Sequence, residues 1–197
     1  MQSKPASRNA GVEANARLTG YVAIVLLVLL GLELLSGLAV RRLLVFHGLL
    51  GLFVIPPLLL KLASVGYRFV RYYTGEPRYR AAGTPALAMR VVAPVLVALT
   101  VVVFASGLEL WLFGYRYGFF WIPVHHGSAY LWSVTLAIHA VNYLRRAPAL
   151  VLADWRDQLP GVVARRSLLV ASLVLGAALV VAMIPFHSPF AFLVGSS

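Results

Sequence analysis

The apolar residues of this chain gather in blocks of about twenty, and no other feature constrains the fold as tightly. A helix crosses the hydrocarbon of a bilayer in roughly 17–25 residues. Five blocks meet that length and are read as spanning helices: residues 18–40, 43–66, 91–113, 123–144 and 167–184. Only 12% of the 197 residues are charged, against roughly 25% in an average soluble domain. A water-soluble enzyme built on one packed core is excluded. The expected fold class is all-α: an integral membrane protein with a four-helix bundle and a fifth transmembrane helix.

The segments between blocks give the organisation. Residues 1–16 are polar and small, as in a disordered cytoplasmic tail. Residues 17–145 hold the four-helix bundle, 146–166 form a cytoplasmic connection, and 167–197 carry the fifth helix and an outer C-terminus. No small-residue cleavage pattern follows the first block, so it reads as a retained helix. Pro56, Pro57 and Pro94 fall inside helices and are read as packing kinks. Fourteen of the seventeen Lys and Arg residues lie in the N-terminal tail, the stretch joining helices 2 and 3, or the stretch joining helices 4 and 5. Arg41, Arg42 and Arg116 are the exceptions. The positive-inside rule then places the N-terminus in the cytoplasm and the C-terminus outside.

That distribution also disposes of the net charge of +11. Residues 67–80 interleave arginine and tyrosine, but at a cytoplasmic helix end this reads as an anionic-lipid anchor and not a nucleic-acid groove. Asp154 and Asp157 are too few and too close in sequence to suggest a catalytic carboxylate pair.

There is no cysteine, which removes disulfides, iron–sulfur clusters, thiolate zinc and the thioether attachment of c-type haem. The nitrogen donors that remain are His47, His125, His126, His139 and His187. Helices 2 and 4 run in the same direction, and each opens on histidine, so His47, His125 and His126 share a depth in the outer half of the membrane. Two neutral imidazoles facing each other across a bundle suit a bis-histidine haem. His139 follows His125 by 14 residues, nearly four turns, which puts both on one helix face about 21 Å apart. His126 falls on nearly the opposite face, so helix phase favours His125 as the ligand. Gly51, one turn after His47, is read as room for a flat macrocycle. Lys61 stands 14 residues after His47, where a second ligand would stand. His187 reads as an interfacial histidine.

A short repeat supports a two-fold plan. Ser36-Gly37-Leu38 near the end of helix 1 matches Ser106-Gly107-Leu108 near the end of helix 3, and a second register matches Gly31-Leu32-Glu33-Leu34 to Gly107-Leu108-Glu109-Leu110. Both registers are open on sequence alone.

The segments His47-Gly48-Leu49-Leu50-Gly51 with Lys61, and His125-His126-Gly127-Ser128-Ala129-Tyr130 with His139, resemble helices 2 and 4 of bacterial di-haem cytochromes b. That group includes cytochrome b561-type quinol oxidoreductases and the cytochrome b subunits of hydrogenases and formate dehydrogenases. The resemblance covers about residues 17–145. It implies a bacterial cytoplasmic-membrane electron carrier with haem b ligated by His47 and His125, exchange with the quinone pool, and an outer-side redox partner such as a molybdopterin-type oxidoreductase. In that family the inner haem takes a ligand from a histidine early in helix 1. Arg17-Leu18-Thr19-Gly20-Tyr21 has glycine there. One haem is therefore expected, with two left open, and His139 is orphaned, a quinone contact, or paired with an unorthodox partner. The alternative function is a haem-free membrane anchor or assembly subunit of a redox complex. A transporter ranks third, because only the prolines hint at broken helices.

Glu33 and Glu109 lie in the apolar zone, where a carboxylate is costly and is paired, protonated or functional. Proton transfer is one reading; a bond to Arg41, Arg42 or a neighbouring helix is the other. Tyr115, Arg116, Tyr117 and Trp121 form an aromatic and basic loop, as interface belts do. Gly176-Ala177-Ala178 is the expected helix contact for a homodimer or partner.

Overall fold

The computed structural model describes residues 10–117, 119–157 and 159–186, and all its regular structure is helical. The elements are α1 (Ala10–Leu38), α2 (Val40–Tyr73), the single turn α3 (Pro77–Ala81), α4 (Leu87–Phe113), α5 (Trp121–Tyr143), α6 (Arg146–Asp157) and α7 (Val162–Met183), closed by a 3-10 turn at Ile184–Phe186. Four stretches are long and apolar enough to cross a membrane: α1, α2, α4 and Val162–Phe186. This is the architecture of a multi-pass helical membrane protein. The fourth expected span coincides with α5, a helix of 23 residues that is not among those four. It is less apolar than the others because it carries His125, His126, His139, Asn142 and several hydroxyls.

α1 and α2 form one antiparallel hairpin, with the single residue Ala39 between them. α4 and α5 form a second. α7 packs along α2, and α6 packs along the first part of α1. The core sits where the hairpins meet. Val22, Leu26 and Leu30 of α1, Val54 of α2 and Trp132 of α5 are buried together, with Leu96, Leu99, Val103, Phe104 and Leu169 packed around them. The Trp132 indole N–H donates to Thr100 Oγ1 at 2.9 Å, which satisfies its one polar atom inside the core.

α1 begins at Ala10, inside the stretch expected as a tail. Its extra turns have polar partners: Asn15 Nδ2 donates to the Ser64 carbonyl at 3.1 Å, and Ser64 Oγ bonds back to Asn15 Oδ1 at 3.1 Å. α2 ends at Gly75, whose φ of 91° lets the chain turn left-handed. There Glu76 N–H bonds the Arg71 carbonyl (3.1 Å) and Gly75 N–H the Tyr72 carbonyl (3.3 Å), the two bonds of a Schellman stop.

The departure from helical geometry inside α2 is at Leu43, and the paired prolines leave their mark in a contact instead. Pro57 has no N–H to give the carbonyl of Phe53 four residues back. That carbonyl faces Gly176 of α7 instead: a Cβ placed on Gly176 would come within 2.4 Å of it. Membrane helices tolerate proline where a neighbour meets the freed group, and here the neighbour is a glycine backbone. Gly176 is thus buried within the chain, and only Ala177 and Ala178 of the expected contact remain exposed.

Candidate functional site

Helix phase and the parallel run of α2 and α5 bring His47 and His125 together. Their ring centroids lie 6.2 Å apart, with the planes at 74°. His126 is exposed, with its ring centroid 6.3 Å from that of His125. His187 lies outside the described residues.

The repeat explains how each ring is held, and the contacts select its first register. Ser36 Oγ lies 3.0 Å from His47 Nδ1, and Ser106 Oγ lies 3.1 Å from His125 Nδ1. The glycine after each serine makes the room. A Cβ on Gly37 would sit 3.3 Å from His47 Cε1, and one on Gly107 would sit 3.1 Å from His125 Cε1. A serine to accept and a glycine to admit the ring form one device, used twice.

The tautomer follows from the donors. Ser36 Oγ gives its proton to the Glu33 carbonyl (2.8 Å), and Ser106 Oγ gives its own to the Val102 carbonyl (2.7 Å). Each hydroxyl can then only accept from the imidazole. Val103's carbonyl, 3.1 Å from His125 Nδ1, can likewise only accept. Both histidines therefore carry their proton on Nδ1, which leaves the Nε2 lone pair available. Among the described residues no hydrogen bond engages Nε2 of either ring.

Glu33 reaches the same nitrogen of His47, with Oε1 at 3.3 Å. Its carboxyl group occupies the space beside Gly51, where a Cβ would stand 3.1 Å from Oε1. The room that Gly51 provides is thus taken by a side chain of this protein. Glu33 pairs with a neighbouring helix and not with Arg41 or Arg42 among the described residues. Glu109 differs: both its carboxyl oxygens are buried without a hydrogen-bond partner among the described residues, as is the Trp111 indole N–H. The Trp111 ring packs against Gly48, where a Cβ would meet its Cε3 at 2.4 Å. Arg116 stacks on Tyr117, its guanidinium carbon 5.8 Å from the ring centre.

Fourteen residues along both helices lies a second level. His139 stacks near Tyr143 at 4.8 Å, its Nδ1 buried without a partner among the described residues, and Lys61 is close enough to act on it electrostatically. Lys61 Nζ donates to the Thr19 carbonyl of α1 at 2.9 Å. Beside it, Gly20 faces α6: a Cβ there would stand 3.1 Å from Leu150 Cβ and 3.3 Å from the Ala147 carbonyl. The place where helix 1 would offer a second histidine is covered by another helix.

α6 is fastened by a buried ionic cluster that reading the sequence did not find. Asp154 has no exposed surface, Arg17 is 1% exposed and Arg165 is 5% exposed. Arg17 Nη1 donates to Asp154 Oδ1 (3.3 Å) and to the Ala153 carbonyl (3.0 Å), while Nη2 reaches Asp157 (2.9 Å) and Glu13. Arg165 Nη2 donates to the same Asp154 Oδ1, and its Nη1 donates to the Pro160 carbonyl at 3.0 Å. Burial alone would push the Asp154 carboxyl up, but hydrogen bonds from Arg165 and Arg17 outweigh it and hold the group below the usual range. Arg17 and Asp154 are 137 residues apart, so no local pattern announces the pair.

Comparison of the chain with protein-family profiles, curated proteins and solved structures finds no match. Among the described residues there is also no group of three or more His, Asp or Glu side chains able to hold a bare metal ion. What the site offers is two imidazoles, each with a free Nε2.

Proposed function

We propose that this chain is a bacterial b-type cytochrome of the cytoplasmic membrane, with one haem b held by His47 and His125. In this reading it carries electrons between the quinone pool and a redox partner docked outside, such as a molybdopterin-type oxidoreductase. α5 is the remaining span, the N-terminus is cytoplasmic and the histidine pair lies in the outer half of the membrane.

The observation that carries the reading is the pair of Nδ1-anchored rings with centroids 6.2 Å apart. Metal–imidazole bonds of about 2 Å, plus a ring radius of about 1.1 Å on each side, require about 6 Å between ring centres. Two protein ligands suit a metal whose remaining coordination comes from a macrocycle. A bound haem b supplies a one-electron couple within the bilayer. The serines hold the rings in the ligating tautomer, and Val54 and Trp132, each seven residues further along the same two helices, belong to the apolar core. The covered face of Gly20 supports one haem and not two, with His139 left without a helix 1 counterpart. The same covering favours the second reading, a haem-free anchor or assembly subunit on a cytochrome-like bundle.

Haem-to-protein stoichiometry with a reduced-minus-oxidised spectrum separates the two. The expected result is one haem per chain, lost entirely in His47→Ala and retained in His126→Ala. No haem after expression with adequate haem supply rules out the cytochrome.

A further inference from the structure

We propose that Glu33 is a positioning residue for His47, its carboxyl group seated beside Nδ1–H so that His47 becomes the more strongly donating ligand and the reduction potential of the site falls. This rests on the cytochrome reading above.

The inference comes from a break in the repeat. In the register that the contacts select, Ser36 matches Ser106 and Gly37 matches Gly107, so Glu33 matches Val103. The backbones do the same work: Ser36 Oγ bonds the Glu33 carbonyl at 2.8 Å, and Ser106 Oγ reaches the Val103 carbonyl at 3.0 Å. The side chains differ. At His125 the acceptors on Nδ1 are a hydroxyl and a carbonyl, both neutral. At His47 the hydroxyl holds the hydrogen bond, and a carboxyl oxygen stands beside it, 3.3 Å from Nδ1.

Two further observations say that the carboxyl group is seated there. Gly51 provides the seat, since Oε1 and Cδ of Glu33 are the atoms a Cβ would meet, at 3.1 and 3.9 Å. Glu33 Oε2 is buried without another hydrogen-bond partner among the described residues, so no competing donor draws the group away. A carboxyl group set close to the far N–H of a ligating imidazole raises the ring's basicity. A more basic ligand favours the oxidised metal, and the potential falls.

The test is a potentiometric titration of the full-length, haem-loaded protein, followed by its optical spectrum. Four forms are compared: wild type, Glu33→Gln, Glu33→Val and Gly51→Ala. Glu33→Val makes the first hairpin a copy of the second at this position. The potential is expected to move positive in Glu33→Gln and further in Glu33→Val. Gly51→Ala should move it in the same direction with Glu33 intact, because the added methyl displaces the carboxyl. A merely structural Glu33 would lower haem occupancy and leave the potential of the loaded fraction where it was; that result, in all three variants, overturns the inference while the cytochrome stands. If Glu33→Val fails to retain haem, the other two variants decide. A wild-type protein that binds no haem overturns both.

Discussion

The two levels of the bundle, 14 residues apart on the same two helices, have opposite fates. At the level of His47 and His125 the chain builds toward an open valence. Two serines and two glycines hold the rings so that Nε2 of each stays free. At the level of Lys61 and His139 the chain closes. Lys61 is tied to the Thr19 carbonyl, Gly20 takes α6 against its face, and an ionic cluster fastens α6 in turn. On the cytochrome reading proposed above, Gly20 and Lys61, with α6 filling the gap, would reduce a two-site plan to one. That lesson can be broken by experiment.

The largest effect is the all-or-none loss of the haem spectrum in His47→Ala. His139→Ala is the contrast: it should leave that spectrum unchanged, and loss of haem there would mean that the second level is in use. Next is Asp154→Ala, which strands two buried arginines and should cost about 3–5 kcal/mol, read as thermal unfolding in detergent. Since the folded carboxyl group lies below its unfolded value, its contribution is complete at neutral pH and fades as the pH falls below about 4. Wild type should lose stability across that window more steeply than Asp154→Asn.

Smaller is Gly20→Leu, which overfills the contact with Leu150 and should cost about 1–3 kcal/mol without changing the haem spectrum. Gly20→His is the sharper form of the same test. A second haem per chain in that variant would show that α6 yields and that the closure is a matter of one ligand. The smallest effects belong to Ser36→Ala and Ser106→Ala, about 1 kcal/mol each, with haem affinity down by about 10-fold. Equal losses on both sides would support the repeat as one device used twice.

The parts of this arrangement legible in the sequence are those set by length and phase. Five apolar blocks read as spans, and four of them are helices long and apolar enough to cross, because bilayer thickness fixes how many residues a crossing needs. The meeting of His47 with His125 followed from parallel helices, and the exposure of His126 from its phase around the helix axis. The repeat was visible, but its register was not, since Ser-Gly-Leu and Gly-Leu-Glu-Leu match equally well until a contact chooses between them. What sequence reading missed depends on distant pairs. Arg17 counted only toward topology and Asp154 only as a weak carboxylate, because nothing local links residues so far apart. The seat of Gly176 on the Phe53 carbonyl was hidden for the same reason, although Pro57 advertised a carbonyl without its usual donor.

The parallel course of α2 and α5 has a consequence for how this chain can change in length. Any residue inserted between 47 and 61, or between 125 and 139, would turn everything beyond it by about 100° and take the two levels out of phase. Residues added to the connections, such as the turn around Gly83 or the loop at Gly114, would leave both levels in place. Insertions and deletions in relatives of this chain should therefore gather in those connections, and the two 14-residue intervals should keep their length even where their composition drifts.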